Sequence, residues 1–163
     1  MIYIHLDRSV MGGGVNSLIT NVFNILSACG HEMLEKDGLE HWIPDYPIEA
    51  IEKDCNDKFV VLGYDEERKQ YTSTFQMYLD ENRNLYIRKV ATHPDCQGRG
   101  IGKRSMAYVF NFARKLGCEK VCLDVYDKSK AAIDFYLHNG FRITGKKATR
   151  RFEVVLMEKS MAE

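Results

Sequence analysis

Residues 97–102 read Gln-Gly-Arg-Gly-Ile-Gly, between a strand-like run ending at Thr92 and a long helix-like run. Glycines let a backbone approach a ligand and adopt conformations closed to other residues, and the N–H groups at a helix start attract phosphate oxygens. The chemistry implied is capture of a phosphate-bearing ligand, and spacing separates the motifs of this kind. A Walker A loop, G-x-x-x-x-G-K-[ST], ended on Gly102-Lys103 puts Gln97 at its first Gly and Arg104 where Ser or Thr is required. The dinucleotide pattern G-x-G-x-x-G falls on Gly100, Gly102 and Ser105, with Asp124 about 20 residues on as a ribose ligand. Its glycines should open directly from a strand near the start of the fold, whereas His93-Pro94-Asp95-Cys96 intervenes here and the motif lies past mid-chain.

A third pattern, Q/R-x-x-G-x-G/A, is matched by Gln97, Gly100 and Gly102 within residues 90–102, Val-Ala-Thr-His-Pro-Asp-Cys-Gln-Gly-Arg-Gly-Ile-Gly. Downstream, residues 132–141 read Ala-Ile-Asp-Phe-Tyr-Leu-His-Asn-Gly-Phe, a helix-like run that ends in Tyr and then Gly-Phe. In this order and spacing the two resemble the GCN5-related N-acetyltransferase (GNAT) family, over residues 85–147 or so. The resemblance implies an α/β (α+β) fold: a mixed, mostly antiparallel central sheet of about six to seven strands flanked by helices, with an acetyl-CoA cleft between the fourth and fifth strands. It further implies that Val90, Ala91 and Thr92 hydrogen-bond the pantetheine arm of acetyl-CoA, and that Gln97, Gly98, Arg99, Gly100, Ile101 and Gly102 cradle its pyrophosphate. Arg99 and Lys103, and Arg104 beside them, are cations placed to supplement the amides. Ser129 stands where the family commonly has an Asn that contacts the cofactor; a Ser there can still cap the helix that follows.

Moving an acetyl group from a thioester to an amine requires a neutral amine, stabilisation of charge on the thioester oxygen and a proton for the departing thiolate. The resemblance gives the proton to Tyr136, whose phenol otherwise reads as a core aromatic, and the oxyanion contact to the backbone N–H of Thr92 or a neighbour. His93, Asp124, Glu40, His41 and Tyr86 are all capable bases, and spacing chooses none of them. Residues 39–47 (Leu-Glu-His-Trp-Ile-Pro-Asp-Tyr-Pro) mix aromatics, acids and prolines; Trp42 and Glu40 suit an acceptor pocket, with anchoring of the segment to the core as the other reading of Trp42. The expected activity is acetyl-CoA-dependent N-acetylation of a primary amine, on a small molecule or a protein, by direct transfer in a ternary complex. Its alternatives are a catalytically silent acyl-CoA sensor and a dinucleotide-binding enzyme.

Lys plus Arg and Asp plus Glu are 23 each, so no net field favours nucleic acid. Lys146, Lys147, Arg150 and Arg151 form a basic turn that suits a solvated hairpin loop, or else an acidic substrate. With no signal-like or membrane-spanning run, a cytoplasmic protein is expected, with no membrane partner. The five cysteines (Cys29, Cys55, Cys96, Cys118, Cys122) are odd in number and lack C-x-x-C spacing, which indicates neither a disulfide framework nor a metal site. Cys96 alone suggests a nucleophile, with His93 close in sequence. Partners are therefore acetyl-CoA, an unidentified amine acceptor and, as an option, a second copy in a homodimer.

The 163 residues suit one N-acetyltransferase domain, 1–163. Ile2, Ile4 and Leu6 alternate as a strand, which Gly12-Gly13-Gly14 then breaks. A helix runs from Leu18, with Asn16 or Ser17 to cap it and Gly30 to end it. Short helical pieces broken around residues 44–47 follow. Residues 59–64, 71–79 and 85–92 read as an antiparallel meander. A helix bearing Ile101, Tyr108, Val109, Phe112, Ala113 and Leu116 ends at Gly117, and a strand carries Val121, Leu123 and Val125. A helix from Ser129 to Gly140 and an antiparallel pair, 141–147 with 152–158, complete the chain.

Overall fold

The structure is a computed structural model that describes residues 1–6 and 16–162; the Gly12-Gly13-Gly14 break and the capping side chain of Asn16 lie outside the described residues. Among the described residues, seven strands follow the hydrogen-bonded order β1-β2-β3-β4-β5-β7-β6. They are β1 (Ile2–Leu6), β2 (Phe59–Asp65), β3 (Gln70–Leu79), β4 (Leu85–Thr92), β5 (Lys120–Tyr126), β6 (Arg142–Ala148) and β7 (Glu153–Ser160). Four helices accompany them: α1 (Asn16–Asp37), α2 (Ile48–Asp57), α3 (Ile101–Lys115) and α4 (Lys130–His138). The mixed, mostly antiparallel sheet expected from the resemblance is thus borne out. The chain divides into two compact units, Met1–Tyr78 with Lys89–Ser105, and Leu79–Arg88 with Met106–Glu163.

In the first unit β1 and β2 pair antiparallel from Ile2↔Tyr64 to Leu6↔Val60, and β2 pairs antiparallel with β3. Ile19, Val22, Leu26 and Cys29 recur at helical spacing along α1, and all are buried with Leu6, Ile51, Val60, Leu62 and Ala91 in one cluster. Several buried residues of β3 are polar and make hydrogen bonds, as burial requires. Thr74 Oγ1 donates to the Val61 carbonyl at 2.8 Å, and Gln76 Nε2 to Asp54 Oδ2 at 3.1 Å. That same Asp54 oxygen accepts from Tyr46 Oη at 2.6 Å, and Lys58 Nζ lies 3.5 Å from the other.

The expected end of the first helix at Gly30 is corrected. α1 passes through Gly30 and continues to Asp37, where Gly38, at φ +67°, leaves the helical path. Gly30 is there for closeness, because a Cβ would meet the Trp42 carbonyl oxygen at 3.0 Å and the Trp42 Cβ at 3.2 Å. Pro47 precedes α2, in keeping with the expected break around residues 44–47.

In the second unit β4 runs parallel to β5 (Leu85↔Val121, Tyr86↔Cys122), and β5 pairs antiparallel with β7 from Lys120↔Ser160 to Tyr126↔Val154. β6 and β7 form the expected hairpin, with an irregularity between Ile143 and Gly145. β7 lies between β5 and β6, an order that the periodicity did not indicate. Met106, Val109, Ala113, Val121, Leu123, Val155 and Met157 are buried here.

The contact at Gly30 makes a sign-inverting prediction. Replacing a helix-interior Gly by Ala ordinarily stabilises by about 1 kcal/mol, but Gly30→Ala must push a backbone oxygen aside. It is expected to destabilise by about 1–3 kcal/mol, the usual cost of overpacking. Urea unfolding of the variant against wild type reads the sign directly.

Candidate acetyl-CoA site

β4 delivers Val90, Ala91 and Thr92 to the start of the glycine motif in the first unit. Two long-range contacts hold the end of the strand: Cys29 Sγ donates to the Thr92 carbonyl at 3.0 Å, and the His93 N–H donates to the Thr72 carbonyl at 2.8 Å. A single 3-10 turn, Pro94–Cys96, then separates strand from glycines, as the argument against a dinucleotide loop requires. His93 caps that turn, its Nδ1 accepting the Asp95 N–H at 3.1 Å. Cys96 is buried, and desolvation raises its thiol pKa, so thiolate chemistry at this position finds no support.

Gly98 (φ +81°) and Gly100 (φ +72°) both take left-handed conformations that a side chain disfavours, and a Cβ at either would meet nothing within 4 Å. The glycines are thus demanded by backbone conformation, and the space above them is open. The Arg104 N–H donates to the Gly100 carbonyl at 3.1 Å. The N–H groups of Ile101, Gly102 and Lys103 precede that bond in the first turn of α3, where helix geometry supplies no intrahelical acceptor. Open space over two left-handed glycines, a helix start and the exposed cations Lys103 and Arg104 together fit a pyrophosphate.

The other side chains of the motif turn toward the scaffold. Arg99 donates to Gln70 Oε1 at 3.3 Å and to the Asp95 carbonyl at 3.0 Å, bracing the turn against β3. Gln97 Nε2 donates to Glu32 Oε1 of α1 at 3.1 Å, while Lys36 donates to the other oxygen of Glu32 at 3.3 Å. Cys29, Glu32, Gln70 and Thr72 therefore join the site as supports that the sequence reading missed. No local signal marks them, since each acts on residues far along the chain.

The segment containing Trp42 belongs to the same unit. Its turn is closed by the Ile43 N–H donating to the Glu40 carbonyl at 2.9 Å, and Glu40 is exposed. Trp42 is half-buried against the core cluster and against Gly30. Lys89, at φ +51° within β4, places its Nζ 5.5 Å from the Trp42 ring centre and 4.3 Å from that of Tyr46. These aromatic faces already hold a cation of the chain.

In the second unit Tyr136 lies on α4, edge-on to Phe135 (5.2 Å between ring centres) and to Phe141 (5.5 Å). It is 8 % exposed, and desolvation raises the pKa of its phenol well above the usual tyrosine range, so it keeps its proton at neutral pH. Ser129 occupies the N-cap position of α4 but makes no side-chain cap hydrogen bond, which corrects the expected capping role. It is held by its backbone instead: its N–H donates to the Tyr126 carbonyl, and its carbonyl accepts from the Ile133 N–H, each at 3.0 Å. Asp124, one of the capable bases, is exposed and accepts from Tyr86 Oη at 3.2 Å. Among the described residues no cluster of three or more His, Cys, Asp or Glu gathers to hold a metal, and no helix is long and apolar enough to cross a membrane.

The model of the Acetyltransferase (GNAT) family matches residues 20–141. Thialysine N-epsilon-acetyltransferase of Sus scrofa is 35% identical over 60 residues, which is 37% of this chain and 35% of that protein. The chain thus spans about a third of the length of the first curated relatives it matches. Among solved structures, the ribosomal-protein-S18-alanine N-acetyltransferase of Escherichia coli aligns over 99% of this chain and 94% of its own at TM-score 0.74 and 12% identity. A GNAT family acetyltransferase from Elizabethkingia anophelis with acetyl-CoA bound aligns over 98% and 97% at TM-score 0.67 and 14% identity. These structural likenesses show the fold, and the family model, which covers most of the chain, shows the membership. The chain belongs to the GNAT acetyltransferase family.

Proposed function

We propose that this protein is an acetyl-CoA-dependent N-acetyltransferase, a single domain that transfers acetyl to a primary amine of a small molecule or protein by direct transfer in a ternary complex. The observation that carries the reading is the turn at residues 97–102, where two left-handed glycines open onto a helix start. Relatives named as N-acetyltransferases support an amine as acceptor. Five free cysteines support a compartment that keeps thiols reduced, as the cytoplasm does.

Acetyl-CoA supplies an activated acyl group, and the residues of the chain bind, orient and move protons. The backbone N–H groups from Gly98 to Lys103 hold the pyrophosphate, and the end of β4 at Val90, Ala91 and Thr92 aligns the pantetheine arm. The N–H of Thr92 or a neighbour meets the thioester oxygen. Tyr136 would supply the proton for the thiolate sulfur; desolvation holds that proton tightly, so it is released only as negative charge builds on the sulfur beside it. Ser129, whose side chain makes no cap hydrogen bond, contacts the cofactor where the family commonly has an Asn. Glu40 and Trp42 border the acceptor, with Lys89 competing for the Trp42 face.

Binding is tested by thermal unfolding. Saturating acetyl-CoA, at about 100 times its Kd, stabilises by about 2.7 kcal/mol, or a shift of roughly 5–10 °C for a chain of this size. NAD and ATP should shift it far less. Gly100→Val strains the backbone at φ +72° by at least about 1–2 kcal/mol and should remove the ligand-induced shift. An undiminished shift in that variant would refute the cradle.

Catalysis is tested at Tyr136. Tyr136→Phe keeps the ring and its contacts with Phe135 and Phe141, so stability and the acetyl-CoA shift should hold while turnover falls by about 10²-fold. Free-CoA release over a panel of amines gives the rate. It also separates an enzyme from a silent sensor, which would show the shift without turnover. A fall within a factor of about two would make the phenol a packing group and move proton donation to water.

A further inference from the structure

β6 is the outer strand of the sheet, bonded to β7 on one side only, and every residue of it except Gly145 is exposed. An edge strand of this kind directs N–H and C=O groups away from its neighbour, ready to pair with another chain. Residues 142–151 carry five cations and no carboxylate. Arg142 is neutralised by Glu158 at 2.9 Å, and that contact, with Lys120, holds the Glu158 carboxyl below its usual range. Arg151 lies over the Phe152 ring at 5.8 Å. Among the described residues no carboxylate pairs with Lys146, Lys147 or Arg150. The turn beyond β6 is fixed: Thr149 Oγ1 and Phe152 exchange hydrogen bonds, and the Thr149 N–H donates to the Phe152 carbonyl at 2.8 Å. Arg150 and Arg151 are therefore presented at a defined tip.

The sign of the charge selects the occupant. A second copy pairing antiparallel along β6 would set a strand with three cations and no carboxylate beside another of the same charge, which is unfavourable. A nucleic acid would use the cations and leave the strand's outward N–H and C=O groups unpaired. An extended acidic polypeptide satisfies both the cations and the backbone. Lys146 and Lys147, adjacent on a strand, face opposite sides of it, so acids on either face of such a segment find a partner.

We propose that β6 and the turn at 149–151 form a docking edge for an extended acidic polypeptide segment, which adds as a further strand with its carboxylates against Lys146, Lys147 and Arg150. The edge lies within the second unit, and its occupancy is independent of the acetyl-transfer reading. The probe is a fluorescently labelled peptide alternating Glu-Glu with Val-Val, which puts carboxylates on both faces of a strand, followed by anisotropy. Wild-type protein should bind it with an affinity that falls as salt is raised from about 0.05 to about 0.5 M. Lys146→Glu with Lys147→Glu should weaken binding about tenfold or more, with thermal unfolding to establish that the variant is folded. If that variant does not fold, Lys146→Gln with Lys147→Gln takes its place, with a severalfold loss expected. A peptide of equal charge interrupted by prolines should lose most of the binding, because Pro removes the donors that strand addition uses. The proposal is overturned if the alternating peptide fails to bind, if the lysine variants bind it as wild type does, or if the Pro-interrupted peptide or a charge-matched oligonucleotide binds equally well.

Discussion

N–H groups at a helix start bind phosphate only if the turn that aims them is already in place, since ordering it on binding would cost roughly 1–2 kcal/mol per residue. In this protein that constraint falls on two non-helical residues, Gly98 and Gly100, whose left-handed conformations redirect the chain from a 3-10 turn into α3. Two glycines cannot hold themselves in a rare conformation. The surroundings do so through Arg99 on Gln70, Gln97 on Glu32, Cys29 on the Thr92 carbonyl and the His93 N–H on Thr72. Each is individually modest, about 0.5–1.5 kcal/mol, yet together they tie the turn to α1 and β3. The motif's variable side chains serve the scaffold, and the proposed reading leaves its backbone to serve the ligand.

A similar trade appears at Lys89. A non-glycine residue at φ +51° costs on the order of 1–2 kcal/mol, and an unbroken strand would avoid it. Its ammonium, over the rings of Tyr46 and Trp42, recovers roughly 0.5–2 kcal/mol. Trp42 is itself positioned by the absence of a side chain at Gly30. A helix-interior glycine, a half-buried indole and a strained lysine thus depend on one another, which is why the segment at 39–47 resisted description by periodicity.

What was legible in the sequence shares one property: it depends on neighbours close along the chain. Strand alternation in β1 and β5, the helical spacing of Ile19, Val22, Leu26 and Cys29, and left-handed glycines before a helix are all local. What was missed depends on partners far away. Gly30 looked like a helix end because a terminating glycine and one that admits Trp42 are indistinguishable without the fold. Glu32 and Gln70 carry no mark of their service to Gln97 and Arg99. The insertion of β7 between β5 and β6 is likewise a matter of pairing, which alternation does not encode. Ser129 shows a subtler limit: its position was read correctly as an N-cap, but its side chain makes no cap hydrogen bond, and its carbonyl accepts only the first intrahelical bond.

The same distinction explains why the donor is easier to infer than the acceptor. Pyrophosphate is recognised by backbone N–H groups, whose placement needs glycines at fixed spacing, and glycine spacing is visible in a sequence. An acceptor amine is recognised by side chains, and a side chain's meaning depends on what surrounds it. Trp42 illustrates this, since an aromatic face suited to an ammonium is already engaged by Lys89, so residue type alone would overstate its availability. Tyr136 illustrates the converse: its enclosure by Phe135 and Phe141 resembles ordinary packing, and desolvation there raises the pKa of its phenol. Such burial holds the proton more tightly, so a phenol that is to act as donor must have the desolvation offset by contacts that the ligand brings.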